Sequence, residues 1–161
     1  MKTDRSAAFP TLLAAALAAH EVADNLLGQT DNQAGRKDKP GAEGWCANLR
    51  HVAAYHAVMA AMVGATVRVT RVPVSGRGLL AGFVVSAASH GFIDRRWPIR
   101  RLMAVTGSPA FAEMTITTSV PGMPWKPGLN RGDQAAHAGM LWLAALVATR
   151  LSRVRTTRDL W

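Results

Sequence analysis

Hydrophobic residues gather into four stretches, at residues 9–27, 49–69, 79–93 and 135–151. In the first, residues 11–19 are almost unbroken apolar sequence up to His20. The second carries Val52, Ala53, Val58, Met59, Met62 and Val63. The third runs Leu79, Leu80, Phe83, Val84, Val85 into a patch of small residues at 86–89, and the fourth holds Met140, Leu141, Trp142, Leu143, Leu146 and Val147. Each is apolar around most of a helical circumference, the pattern of a buried core helix or a membrane helix. A spanning helix wants about 20 apolar residues, and the third and fourth stretches reach that length only with their polar ends. The pattern predicts an all-α, four-helix up-down bundle embedded in a membrane, with a soluble or peripheral bundle as the alternative.

The connections between stretches differ in character. Residues 28–50 are polar around Gly35-Arg-Lys-Asp-Lys-Pro-Gly41, and 68–78 form a short basic turn. The longest connection, 94–132, contains a predicted short extra helix. Pro98 sits at its first turn and Gly107 just past its end, and Ile99, Leu102 and Met103 form an apolar face beside Arg100 and Arg101. Trp97 at its start suits a headgroup interface as well as a plain surface helix. Residues 114–120 are the one strand-like run and read as an extended loop. The whole is one bundle over 1–151 followed by a basic tail, 152–161.

Composition narrows the class. At 49% hydrophobic and 6% aromatic, with alanine, leucine and valine dominant, the chain can bury a core and favours helices. The mean hydropathy of +0.07 is low for four spans. The single cysteine, Cys46, excludes an internal disulfide and a paired-cysteine zinc motif, and is expected to be a buried or idle thiol. The start at Met1–Arg5 followed by an apolar run has the outline of a signal peptide, but His20, Glu21 and Asp24 interrupt it, so the segment reads as retained structure. A net charge of +9 and a pI near 11.3 call for an anionic neighbour, either nucleic acid or a membrane surface. Arg95, Arg96, Arg100, Arg101, Arg153, Arg155 and Arg158, in the two densest basic clusters, are the candidates to meet phosphates of DNA or lipid headgroups. Lysine and arginine are spread almost evenly between the two bundle ends, so no orientation follows.

The candidate chemistry lies in histidine and aspartate. Three of the five histidines pair with an aspartate four positions away: His20 with Asp24, His90 with Asp94, and His137 with Asp133. On a helix such pairs share one face. In an up-down bundle the first two pairs close helices one and three, His51 opens helix two, and the third pair opens helix four, so all fall in one layer, with His51 at its edge. Imidazole with carboxylate suits zinc, manganese, iron or nickel. A bound divalent ion would make a nucleophile of its water, and Gln29 and Gln134 are placed to orient ligands. The same residues also suit a structural polar network that holds the helices in register. His56 lies well round the helix from His51 and reads as a core or pore-facing histidine, whereas Tyr55 is the better same-face neighbour. The segment 17–24, with His20 and Asp24, also echoes 87–94, with His90 and Asp94, as an internal duplication would.

These motifs stand in a recognisable order: His20-xxx-Asp24 with Gln29-Thr30-Asp31, Leu49-x-His51, His90-xx-Ile93-Asp94-Arg95, and Asp133-Gln134-xx-His137. In that order the chain resembles, over residues 12–147, a bacterial family of small multi-helix membrane proteins known as a domain of unknown function. Its alanine- and arginine-rich form is similar to the actinobacterial branch. Members of that branch are labelled transcriptional regulators, by similarity to a replication activator of an actinomycete integrative element. The resemblance implies a membrane accessory protein of mobile-element type in the bacterial cell membrane, and its His/Asp residues make a metal centre and ester hydrolysis the candidate chemistry. The label implies instead a cytoplasmic activator that binds DNA directly or through a partner, although the chain carries no helix-turn-helix signature.

Overall fold

The computed structural model describes residues 5–117 and 126–152, and their regular structure is helical. Helix α1 (Ala8–Val22) runs without a break into a π-helical segment, Ala23–Leu27. A single turn, α2 (Asp31–Ala34), starts in a capping box: Thr30 accepts from the Gln33 backbone, and the Gln33 side chain accepts from the Thr30 backbone. The long α3 (Gly41–Thr70) ends at Arg71 in the left-handed region, and α4 (Gly76–Ile93) begins with the Ser75 hydroxyl capping the Gly78 amide. Two short helices, α5 (Trp97–Val105) and α6 (Pro109–Glu113), precede α7 (Pro127–Leu151).

The long helices form a bundle. Helix α4 packs along α7, α1 lies against both α3 and α7, and α3 also meets α4. Small residues make the α4–α7 approach close, because a Cβ on Gly82 would lie 2.9 Å from the Ala144 carbonyl oxygen. The main core follows helical spacing: Leu12, Ala16 and Ala19 on α1, Tyr55, Met59 and Val63 on α3, and Leu141, Ala145 and Ala148 on α7. A second cluster, Ile93, Ile99, Met103, Ala112 and Leu129, seats α5 and α6 under the start of α7.

The connection between α4 and α7 holds two helices where the sequence predicts one. The predicted helix is α5, with Pro98 in its first turn and Gly107 at φ 92° just past its end. Residues 114–117 include one isolated bridge position at Ile116, and 118–120 lie outside the described residues. Helices α3 and α7 also begin well before their apolar stretches do. The first turns of α3 bury Gly44, Ala47, Asn48 and His51, and those of α7 bury Gly128, Leu129 and Asp133. This is the same three-to-four spacing written in small and polar residues, which apolar patterning does not register.

Helix α3 is long and apolar enough to cross a membrane, and only 17% of its most apolar window is buried. Leu49, Val69, Leu80, Val84 and Trp142 are likewise exposed.

A candidate metal centre

The site begins with the π-helical end of α1. The wider turn delays the exit of the chain and leaves Asp24 buried, and π segments of this kind recur at functional sites. Gly28 follows, and a Cβ there would run into the Ala23 carbonyl and the Tyr55 backbone. The close approach puts the Gly28 carbonyl 2.9 Å from His51 Nδ1. A carbonyl only accepts, so His51 Nδ1 carries the hydrogen and the neutral ring presents its lone pair at Nε2.

That nitrogen faces three other donor atoms. It lies 3.0 Å from His90 Nε2, 3.1 Å from Asp24 Oδ1 and 3.3 Å from Asp94 Oδ2, and His90 Nε2 is also 3.3 Å from Asp94 Oδ2. Four donors bound at about 2.1 Å to one ion stand roughly 3.0–3.4 Å apart, depending on coordination geometry. Two triads, Asp24–His51–His90 and His90–Asp94–His137, each bring their ligand atoms within 4.8 Å of one another. Among the described residues neither His137 ring nitrogen finds a hydrogen-bond partner, and neither do Asp24 Oδ1 or Asp133 Oδ1. Buried polar atoms without partners are rare, and a cation among them is one physical resolution.

The remaining members of the layer surround this core. His137 Nδ1 is 3.6 Å from Asp133 Oδ2, and its Nε2 is 3.9 Å from Asp94 Oδ1. His20 belongs to a chain of hydrogen bonds. The Tyr55 hydroxyl lies 3.0 Å from His20 Nδ1, His20 Nε2 lies 2.9 Å from Gln134 Oε1, and the Gln134 amide donates to Asp24 Oδ2 at 3.3 Å. The consistent assignment has Tyr55 donating to His20 and His20 donating to Gln134. Gln134 thus orients a carboxylate, while Gln29 reaches the Asp24 backbone carbonyl at 3.4 Å. The structure puts His51 at the centre of the layer, fully buried, where sequence spacing puts it at the edge.

Lys37 is the residue that sequence reasoning missed. It comes from the polar connection after α2, is buried, and places Nζ 2.9 Å from Asp94 Oδ1 and 3.9 Å from Asp24 Oδ1. Nothing in the sequence separates Lys37 from Arg36 or Lys39 beside it. It is held there by Arg95, whose guanidinium donates to the Lys37 and Lys39 carbonyls and stacks over Trp45 at 4.6 Å. Arg95 is therefore buried and spent on structure, which corrects its assignment as a phosphate contact. Of the other arginines proposed for that role, Arg100 pairs with Glu113 at 2.8 Å and Arg101 is exposed. Arg96 is partly buried, and Arg153, Arg155 and Arg158 lie outside the described residues. Cys46 is exposed, so of the two expected states, buried or idle, burial does not hold. His56 stays outside the cluster, donating from Nδ1 to the Val52 carbonyl at 2.8 Å and meeting the Ser86 hydroxyl at 3.0 Å.

Electrostatics divide the three carboxyls. Burial acts first and upward on Asp24 and Asp94. The facing imidazole, His51 for Asp24 and His90 for Asp94, with the Lys37 charge, outweighs it and holds both well below the ordinary range. For Asp133, burial and then the neighbouring Asp94 charge push the carboxyl up to about 7. The layer therefore offers two ionised carboxylates and a third that titrates near neutrality. No family model, curated protein or solved structure matches this chain.

Proposed function

We propose that this protein is a membrane-seated metalloprotein of hydrolytic type, an up-down bundle of α1, α3, α4 and α7 whose His/Asp layer holds a divalent ion such as zinc, manganese or iron. One observation carries the reading. His51 Nε2, fixed as a lone-pair donor by the Gly28 carbonyl, stands 3.0–3.3 Å from three further donor atoms at ion-sharing distances. Asp24 and Asp133 also line a polar cavity of about 280 Å³, which gives water a route to the centre. Asp24, His51, His90 and Asp94 would hold an ion beside that cavity, where it would supply Lewis acidity toward water or substrate. The membrane part is supported by the uncovered apolar surface of α3. On this reading the apolar faces of the bundle lie in the bilayer, and Asp24, Asp94 and Asp133, near helix ends, lie at its boundary.

Elemental analysis of detergent-purified protein tests the centre. The expected result is about one divalent ion per chain, lost in His51→Ala and His90→Ala and kept in His56→Ala. Lys37 favours a second reading, a metal-free polar network, because it already places a cation 2.9 Å from Asp94. Wild-type protein that takes up no ion, with His51→Ala and His90→Ala costing only stability, would select the network.

A further inference from the structure

The polar cavity beside the centre has a charge pattern of its own. Its walls carry three cations, Lys37, Arg96 and Arg131, drawn from three separate segments of the chain, beside three carboxyls, Glu21, Asp24 and Asp133, and the amide of Gln134. Lys37 precedes α3, Arg96 precedes α5, and Arg131 stands in the first turns of α7. Glu21 and Arg131 both reach the cavity from exposed positions, and Glu21 there accepts from Asn25. Asp24 and Lys37 belong equally to the cavity and to the His/Asp layer, so the cavity opens directly on the centre.

Arg96 is the most telling of these groups. Its φ of 58° is unusual for a residue with a Cβ, and such strain persists only where the surroundings impose it. The surroundings here are Asp94 and Arg95, the two buried residues just before it, one facing the centre and the other clamped on the Lys37 and Lys39 carbonyls. The turn that accommodates both delivers Arg96 to the cavity. There its guanidinium makes no hydrogen bond or ion pair with any described residue, and neither does that of Arg131. Two unpaired guanidinium forks and a buried ammonium around one polar volume are the donor set for a tetrahedral oxyanion. Arginine matches phosphate oxygens two at a time, and the ammonium adds a point charge.

We propose that this cavity binds the phosphate group of a phosphate ester, with Arg96 and Arg131 gripping its oxygens and Lys37 facing it from the metal side. The proposal deepens the metalloprotein reading, on which it rests for the ligand's place beside an ion. At about 280 Å³ the cavity exceeds what a bare phosphate fills and leaves room for an ester substituent. That substituent comes from a soluble phosphate ester or from a phospholipid headgroup, and the recognition chemistry is the same.

The test is calorimetric titration of inorganic phosphate into the full chain in detergent, with metal content measured in every sample. Phosphate should bind the wild type, and Arg96→Gln should weaken it at least about tenfold while metal content stays unchanged. Arg96→Gly is the second variant. Glycine accepts this φ without strain, so it should raise Tm by about 2–5 °C while losing phosphate affinity as Arg96→Gln does. A stabilised protein with weakened phosphate binding separates a ligand role from a structural one. Metal-loaded protein that binds no phosphate, or binds it equally in wild type, Arg96→Gln and Arg96→Gly, overturns the proposal and leaves the metal reading intact. Metal-free wild type that still binds phosphate through Arg96 supports the cavity and removes the metal. Nanodiscs containing phosphatidate then identify the source: occupancy by the lipid suppresses phosphate binding, whereas displacement by glycerol phosphate alone marks a soluble ester.

Discussion

His51 Nε2 and His90 Nε2 lie 3.0 Å apart in the buried centre of the bundle, each also within 3.3 Å of Asp94 Oδ2. Two neutral imidazoles can share that distance only if one presents N–H and the other a lone pair, and the Gly28 carbonyl has already settled which His51 is. Either a proton or a metal ion joins them. The difference between those joints is measurable in several ways.

A metal joint ties stability to ion concentration. An ion that binds the folded chain at a hundred times its Kd adds about 2.7 kcal/mol. Chelation should therefore lower Tm, and re-addition of zinc or manganese should restore it in wild type but not in Asp94→Ala. A Tm indifferent to chelator in protein shown to carry the ion would contradict a centre that holds the helices together.

The pH dependence of metal-free protein should expose Asp133. Its folded pKa of about 7 lies above its ordinary 3.8, so folding favours the protonated carboxyl. The stability it contributes is full below that ordinary value and drains away as pH rises to about 7. Asp133→Asn should thus gain stability over wild type between pH 4 and 7, on the order of 4 kcal/mol by pH 7, and hold that margin above it. With ion bound the ionised carboxylate becomes useful and the margin should shrink. A margin that does not change with pH would show that Asp133 is not held neutral.

The Tyr55–His20–Gln134–Asp24 chain should behave as one unit. Tyr55→Phe strands a buried ring nitrogen of His20, at about 1–3 kcal/mol. Gln134→Ala removes the link to Asp24 at the other end. Thermal unfolding of both single variants and the double variant should show coupling of at least about 0.5 kcal/mol, because the second cut finds the chain already broken. Strict additivity would mean that the two bonds are independent.

Membrane seating predicts that the expressed protein resists carbonate extraction and needs detergent. Replacing exposed Leu80 and Val84 together by glutamate should move it toward the soluble fraction, since charge on a lipid-facing surface costs about 2.5–3.5 kcal/mol per residue at mid-bilayer. Monomeric protein in the supernatant without detergent would reject membrane seating while leaving the His/Asp centre to be judged by metal content alone.

Helical periodicity is a local property, so the sequence alone determined the all-helical class, the approximate positions of the long helices and the shared faces of His20/Asp24, His90/Asp94 and Asp133/His137. An i, i+4 pair points one way whatever surrounds it. It also located the short helix after Asp94 from Pro98 and Gly107. What it left open were distances between segments far apart in the chain, which packing sets. Tertiary structure decided that His51 is central, because Gly28 lets the backbone come close enough to take its Nδ1–H. It also took Lys37 out of a charged loop and Arg95 out of a basic cluster and buried both, leaving Arg96, the next residue after Arg95, to line the cavity. Lys37, Arg95 and Arg96 look alike in sequence, each one basic residue in a basic cluster. They differ only in what the fold brings to meet them, and the cost of burying a charge is met only where carboxylates, carbonyls or an aromatic face stand ready.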